Sequence, residues 1–171
     1  LYASAYRFLG PFDLLEAGFA QVLFPLLSSL GPASDSWETT RRRARRLYFL
    51  TTLPLVAVAV LVAPELLVAV FGEAFRPATP AARILLLSVI PGVLYWPDAL
   101  AMMAAGFERV VLYLFIMSTA IDVVLVPTLS TPLGAAGAAW AWVAAELSLC
   151  IGLAVVRKGR LDPRHHGDPT S

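Results

Sequence analysis

Residues 47–71 read LYFLTTLPLVAVAVLVAPELLVAVF, and directly ahead of them, at 41–46, stands RRRARR. The apolar run exceeds the roughly 20 residues an α-helix needs to cross the hydrocarbon core of a bilayer. Arginines crowded at one end of such a run mark the side that stays in the cytoplasm. Four further stretches share the pattern, so five spans are expected, at about 3–30, 47–71, 81–105, 110–129 and 135–156. The expected fold class is all-α: a polytopic transmembrane helical bundle over residues 1–156, followed by a polar tail at 157–171.

Composition agrees. Of the 171 residues 58% are hydrophobic and only 15% charged, with a mean hydropathy of +0.74. Soluble domains are nearer 45–50% apolar and roughly 25% charged. A soluble fold of this length has no way to hide so much apolar side chain, whereas lipid is itself the apolar phase. The net charge of +1 says little about partners. Nucleic-acid binding is not expected, because the arginine run is short and flanked by membrane. The chain opens at Leu1 on an amphipathic stretch without a basic leader or small-residue cleavage site, so no signal peptide is expected.

The distribution of charge carries more. Most of the 13 lysines and arginines fall in the first loop (Arg41, Arg42, Arg43, Arg45, Arg46), the third loop (Arg109) and the tail (Arg157, Lys158, Arg160, Arg164). The second loop holds Arg76 alone and the fourth, 130–134, holds none. Alternate loops are thus basic and non-basic, which predicts a multi-pass plasma-membrane protein whose first loop and tail are cytoplasmic. Aromatic residues agree: Tyr2, Tyr6, Phe71, Phe75, Trp140 and Trp142 fall toward the outer ends, and Tyr48, Phe49 and Tyr113 toward the inner ends. The arginine cluster is read first as this topological signal and second as a contact for anionic lipid head groups.

Within the spans, Pro11, Pro25, Pro54, Pro64, Pro91 and Pro97 each invite a kink. In the fifth span Gly134 and Ala138 lie four apart, as do Gly137, Ala141 and Ala145, a spacing that lets two helix backbones approach closely.

No nucleotide loop, catalytic triad or metal-ligand cluster is visible, so neither an enzyme nor a cofactor is expected. His165 and His166 stand in the tail without a third ligand, and Cys150 reads as a small buried hydrophobe. The informative residues are ionisable groups inside apolar spans: Arg7, Asp13 and Glu16, Asp98, Asp122 and Glu146. A charge at mid-membrane costs roughly 2.5–3.5 kcal/mol on insertion scales, so such groups face a bundle interior or a watery cavity. Arg7, Asp98, Asp122 and Glu146 are the candidates for a substrate or ion pathway. Each has a plainer reading: Arg7 as a snorkelling side chain, the three acids as hydrogen bonds that hold helices together.

Four motifs then follow in order. They are YASAYR at 2–7, running on to VLFPLLS at 22–28; FGEAF at 71–75; DVVLVP at 122–127; and LGAAGAAWA at 133–141. Together they resemble the polysaccharide-biosynthesis, O-antigen-type flippases of the multidrug/oligosaccharidyl-lipid/polysaccharide exporter superfamily. Asp122 departs from the Asn usual in that pattern, and the helix holding Asp13 and Glu16 is more acidic than its counterpart there. The resemblance implies a fragment matching the C-terminal bundle of such a protein, with an N-terminal helical bundle as its missing partner. It further implies a transporter that flips or exports lipid-linked oligosaccharide or polysaccharide precursors by alternating access. The implied substrate is a polyprenyl-diphosphate-linked glycan, with Arg7 toward its anionic head group and Asp122 and Glu146 as cavity or ion-coupling groups. The alternatives are a fragment of a multidrug and toxin extrusion-type antiporter, or a small structural membrane subunit without transport activity.

Overall fold

Ser34 converts the basic segment from the expected loop into helix. Its hydroxyl accepts from the Trp37 amide at 3.2 Å, satisfying one orphan donor of a helix that then runs Asp35–Phe71 without interruption. The computed structural model describes residues 6–32 and 34–160; Tyr2, the start of the YASAYR motif, Arg164, His165 and His166 lie outside the described residues. Among the described residues every element is helical. A 3-10 turn, Arg7–Leu9, leads into α1 (Gly10–Leu30), so the first span begins as a tighter coil than expected. Helix α2 is Asp35–Phe71. It ends at Gly72, whose φ of 88° suits a residue without Cβ, and a 3-10 segment, Glu73–Ala78, makes the turn. Phe71 and Phe75 pack there at 5.4 Å, and Glu73 pairs with Arg76 at 2.7 Å.

The third expected span is two helices, α3 (Thr79–Leu87) and α4 (Val89–Ala104), meeting at Ser88. Pro91 explains the break: it has no amide to bond the Leu87 carbonyl four residues back, and its ring crowds that carbonyl. At the break itself the Ser88 hydroxyl donates to the Leu85 carbonyl at 2.6 Å, inside the protein. Pro25, Pro54, Pro64 and Pro97 leave their helices unbroken.

The last element, Glu108–Arg160, is 53 residues long, which as one straight helix would reach about 80 Å. It folds back instead. The backbone leaves helical geometry at Gly134 (φ 58°, ψ −137°), separating α5, 108–133, from α6, 135–160. Three contacts fix the antiparallel register of this hairpin. Gly137 lies against the Leu129–Ser130 backbone, Ser118 Oγ donates to the Ala145 carbonyl at 2.8 Å, and Gly152 lies against Leu114. A Cβ on Gly137 would stand 2.0 Å from the Leu129 carbonyl oxygen, so glycine there is a condition of the close approach. The expected loop at 130–134 is accordingly helical up to the kink.

Four helical segments are long and apolar enough to cross a membrane: Arg7–Leu30, Asp35–Phe71, Glu73–Ala104 and Glu108–Lys158, the last being the hairpin. They are not equivalent. In Glu73–Ala104, 72% of the apolar window is buried by protein, against 11%, 22% and 11% in the others. The α3–α4 pair is therefore the axis of the bundle. Its residues join all three apolar clusters: Leu85 and Val93 with Phe12 and Val56, Tyr95 and Met102 with Val111 and Leu149, Leu100 with Leu23 and Trp37. The outer helices keep their apolar faces outward, at Leu14, Leu61, Val70, Ile116, Val123 and Val155 among others, as a lipid-facing surface requires.

Candidate functional site

Asp98 is the charged residue the fold works hardest to keep. It sits on α4 one position after Pro97 and is only 7% exposed. A carboxylate so placed is costly unless paired. Three arginines converge on it. Arg41 of α2 donates to Oδ1, Arg157 of α6 donates to Oδ2 at 2.6 Å, and Arg45 approaches Oδ2 at 3.6 Å. Arg41 is itself held in a fork by Glu38, at 2.8 Å on both carboxylate oxygens, and Arg42 reaches Glu38 at 2.5 Å. This network ties α2, α4 and α6 together at one end of the bundle.

Beside it lies a cleft of about 590 Å³. Arg42, Arg45, Arg46 and Arg157 stand at its charged end with Asp98, and Phe49, Val93, Leu94 and Leu153 form its apolar walls. Tyr95 lines this cleft and also a second cavity of about 80 Å³, which Asp13, Glu16, Ser88, Trp142 and Glu146 help to enclose. The Tyr95 hydroxyl donates to Glu146 Oε2 at 2.9 Å, bridging α4 and α6. Glu16 reaches the same cavity from α1, where a Cβ on Gly92 would stand 3.3 Å from its Oε1.

The four pathway candidates thus separate. Asp98 belongs to the cleft and Glu146 to the small acidic cavity. Asp122 lines neither: it is half-buried on α5, within electrostatic reach of Glu146, and its Oδ1 is buried without a hydrogen-bond partner among the described residues. Arg7 is exposed on the 3-10 turn and also lines neither. The small cavity holds Glu146 with Asp13 and Glu16. The sequence reading missed Tyr95 and the recruitment of Arg41, Arg45 and Arg157 to Asp98. The available signal was that Asp98 lies toward the end of its span where the basic loop and tail emerge.

A bundle whose described elements are all helical, several of them long and apolar enough to cross a bilayer, has the build of a membrane protein. Residues 1–80 match the family model described as polysaccharide biosynthesis protein, which supports the resemblance above at that level. The matched part contains α1, α2 and the turn after them; the DVVLVP and LGAAGAAWA motifs lie beyond it. No curated protein and no solved structure matches the chain.

Proposed function

We propose that this chain is part of a membrane transporter that moves lipid-linked oligosaccharide or polysaccharide precursors across the bilayer by alternating access. In this reading α1, α2, α3–α4, α5 and α6 are five spans of an exporter-type bundle, with the arginine-rich end cytoplasmic. The bundle works opposite a second one of like architecture. The observation that carries the proposal is where the polysaccharide-biosynthesis match falls. It covers the helices that supply Asp13 and Glu16 to the acidic cavity and Arg42, Arg45 and Arg46 to the cleft. A discontinuous central span supports it too, since broken helices are tolerated at membrane depth where they are buried in protein or line a cavity.

The test is deletion of the gene in its source organism, followed by re-expression. Loss of surface polysaccharide with lipid-linked precursor accumulating on the inner leaflet is the expected result. Wild-type protein restores it and Glu146→Gln at equal abundance does not. Raised drug sensitivity with normal polysaccharide would favour an antiporter instead. Full rescue by the Glu146→Gln variant would leave a structural subunit.

A further inference from the structure

The cleft beside Asp98 is polarised in the same direction on every wall. On α2 the charged residues Arg42, Arg45 and Arg46 precede Phe49. On α4 Asp98 follows Tyr95, Leu94 and Val93, and on α6 Arg157 follows Ala154, Leu153 and Cys150. Because α2 runs antiparallel to α4 and α6, all charges fall at one end and all apolar residues at the other. From Arg42 to Phe49, and from Cys150 to Arg157, the rise is about 10 Å. The charged end is also out of balance. Among the described residues Arg41, Arg42, Arg45, Arg46 and Arg157 have only Glu38 and Asp98 as acidic counterparts in ion pairs, and Arg45 touches its carboxylate at a loose 3.6 Å.

From this geometry we infer that the cleft is a binding site for an anionic bilayer phospholipid. The phosphate lies among Arg42, Arg45, Arg46 and Arg157, and one acyl chain lies along Phe49, Val93, Leu94 and Leu153. Charge complementarity selects the head group, since the arginine excess calls for an anion and guanidinium forks suit phosphate oxygens. Depth selects a lipid over a soluble phosphate. The charged end coincides with the end of the apolar run 47–71, where head groups sit, and the apolar walls continue toward the bilayer interior. With about 590 Å³ the cleft accommodates a head group and the first part of one chain. The inference does not depend on the transport reading, because a resident lipid suits any protein with this cleft.

The experiment is native mass spectrometry of the whole chain released from nanodiscs of equal phosphatidylcholine and phosphatidylglycerol. Wild type retains phosphatidylglycerol preferentially. Arg45→Gln/Arg46→Gln weakens that retention about 25-fold, the product of roughly fivefold for each basic side chain near an anionic head group. Leu94→Trp fills the apolar half without altering any charge and also lowers retention; Leu94 is exposed, so this variant keeps the test alive if the arginine pair fails to fold. Equal retention of the two lipids, or retention unchanged in the Leu94→Trp variant, overturns the inference. Displacement of phosphatidylglycerol by an equimolar polyprenyl phosphate overturns it as well, assigning the cleft to a transported lipid.

Discussion

Asp98 and Arg157, 59 positions apart in the chain, meet at 2.6 Å inside the bundle. Their pairing holds the end of α6 to the central α4 and completes a clamp that Arg41 and Arg45 begin from α2. Removing the carboxylate leaves the guanidinium groups facing one another in a partly desolvated space. Breaking a buried pair from one side costs about 3–5 kcal/mol. Asp98→Ala is therefore predicted to lower the thermal unfolding midpoint in detergent sharply, and Asp98→Ala/Arg157→Leu to recover part of the loss. A single variant as stable as wild type would remove the clamp from the account.

The α5–α6 hairpin makes a prediction about distance. Leu114 and Gly152 are in contact across it, yet in one straight helix they would stand about 57 Å apart. In a Cys150→Ala background, Leu114→Cys and Gly152→Cys are predicted to form a disulfide on mild oxidation. Absence of the bridge on non-reducing electrophoresis would contradict the fold-back. Gly137→Leu should disrupt the same hairpin, since any Cβ there meets the Leu129 carbonyl; overpacking costs about 1–3 kcal/mol, with more expected against backbone.

Tyr95 and Glu146 test whether the acidic cavity does more than hold helices together. Interhelical hydrogen bonds in membranes average about 0.6 kcal/mol, so Tyr95→Phe is predicted to be nearly neutral for stability. If the cavity serves transport, Glu146→Gln should cost polysaccharide export far more than it costs stability. Equal, small effects on both readouts would reduce the pair to a packing contact.

Orientation is predicted from the arginines. With Cys150 replaced, a cysteine introduced at Ser36 is expected to resist an impermeant thiol reagent in intact cells and to react once they are opened. One introduced at Glu73, at the far end of α2, should react in intact cells. Labelling in the reverse order would invert the topology.

Much of this architecture is legible in the primary structure, and the residues show why. Apolar length reveals a crossing before any contact is known, and the small residues at 134–145 announce a close helix pair because small side chains let two backbones approach. The turn after Phe71 is readable from Gly72. Other features depend on partners distant in the chain. That Asp98 collects Arg41 and Arg157 rests on separations of 57 and 59 positions, and no local pattern encodes them. Ser88 as the break in the central span was hidden because many prolines invite a kink and only Pro91 delivered one. The helical start of α2 was hidden because the arginines were weighed as a topological sign and a lipid contact in a loop, although Ser34 stood ready as a cap. Arg7 carried two readings, a pathway cation and a snorkelling side chain, and it stands exposed on the 3-10 turn.

The three arginines on Asp98 also impose an order on biosynthesis. α2 is made before α4, so Arg41 and Arg45 already wait when Asp98 enters the membrane, and the nascent carboxylate need never face hydrocarbon alone. Arg157 emerges only after the hairpin that covers the central helix has been synthesised. In chain order the two early arginines thus precede the acid, and the late one closes the pairing from the last helix.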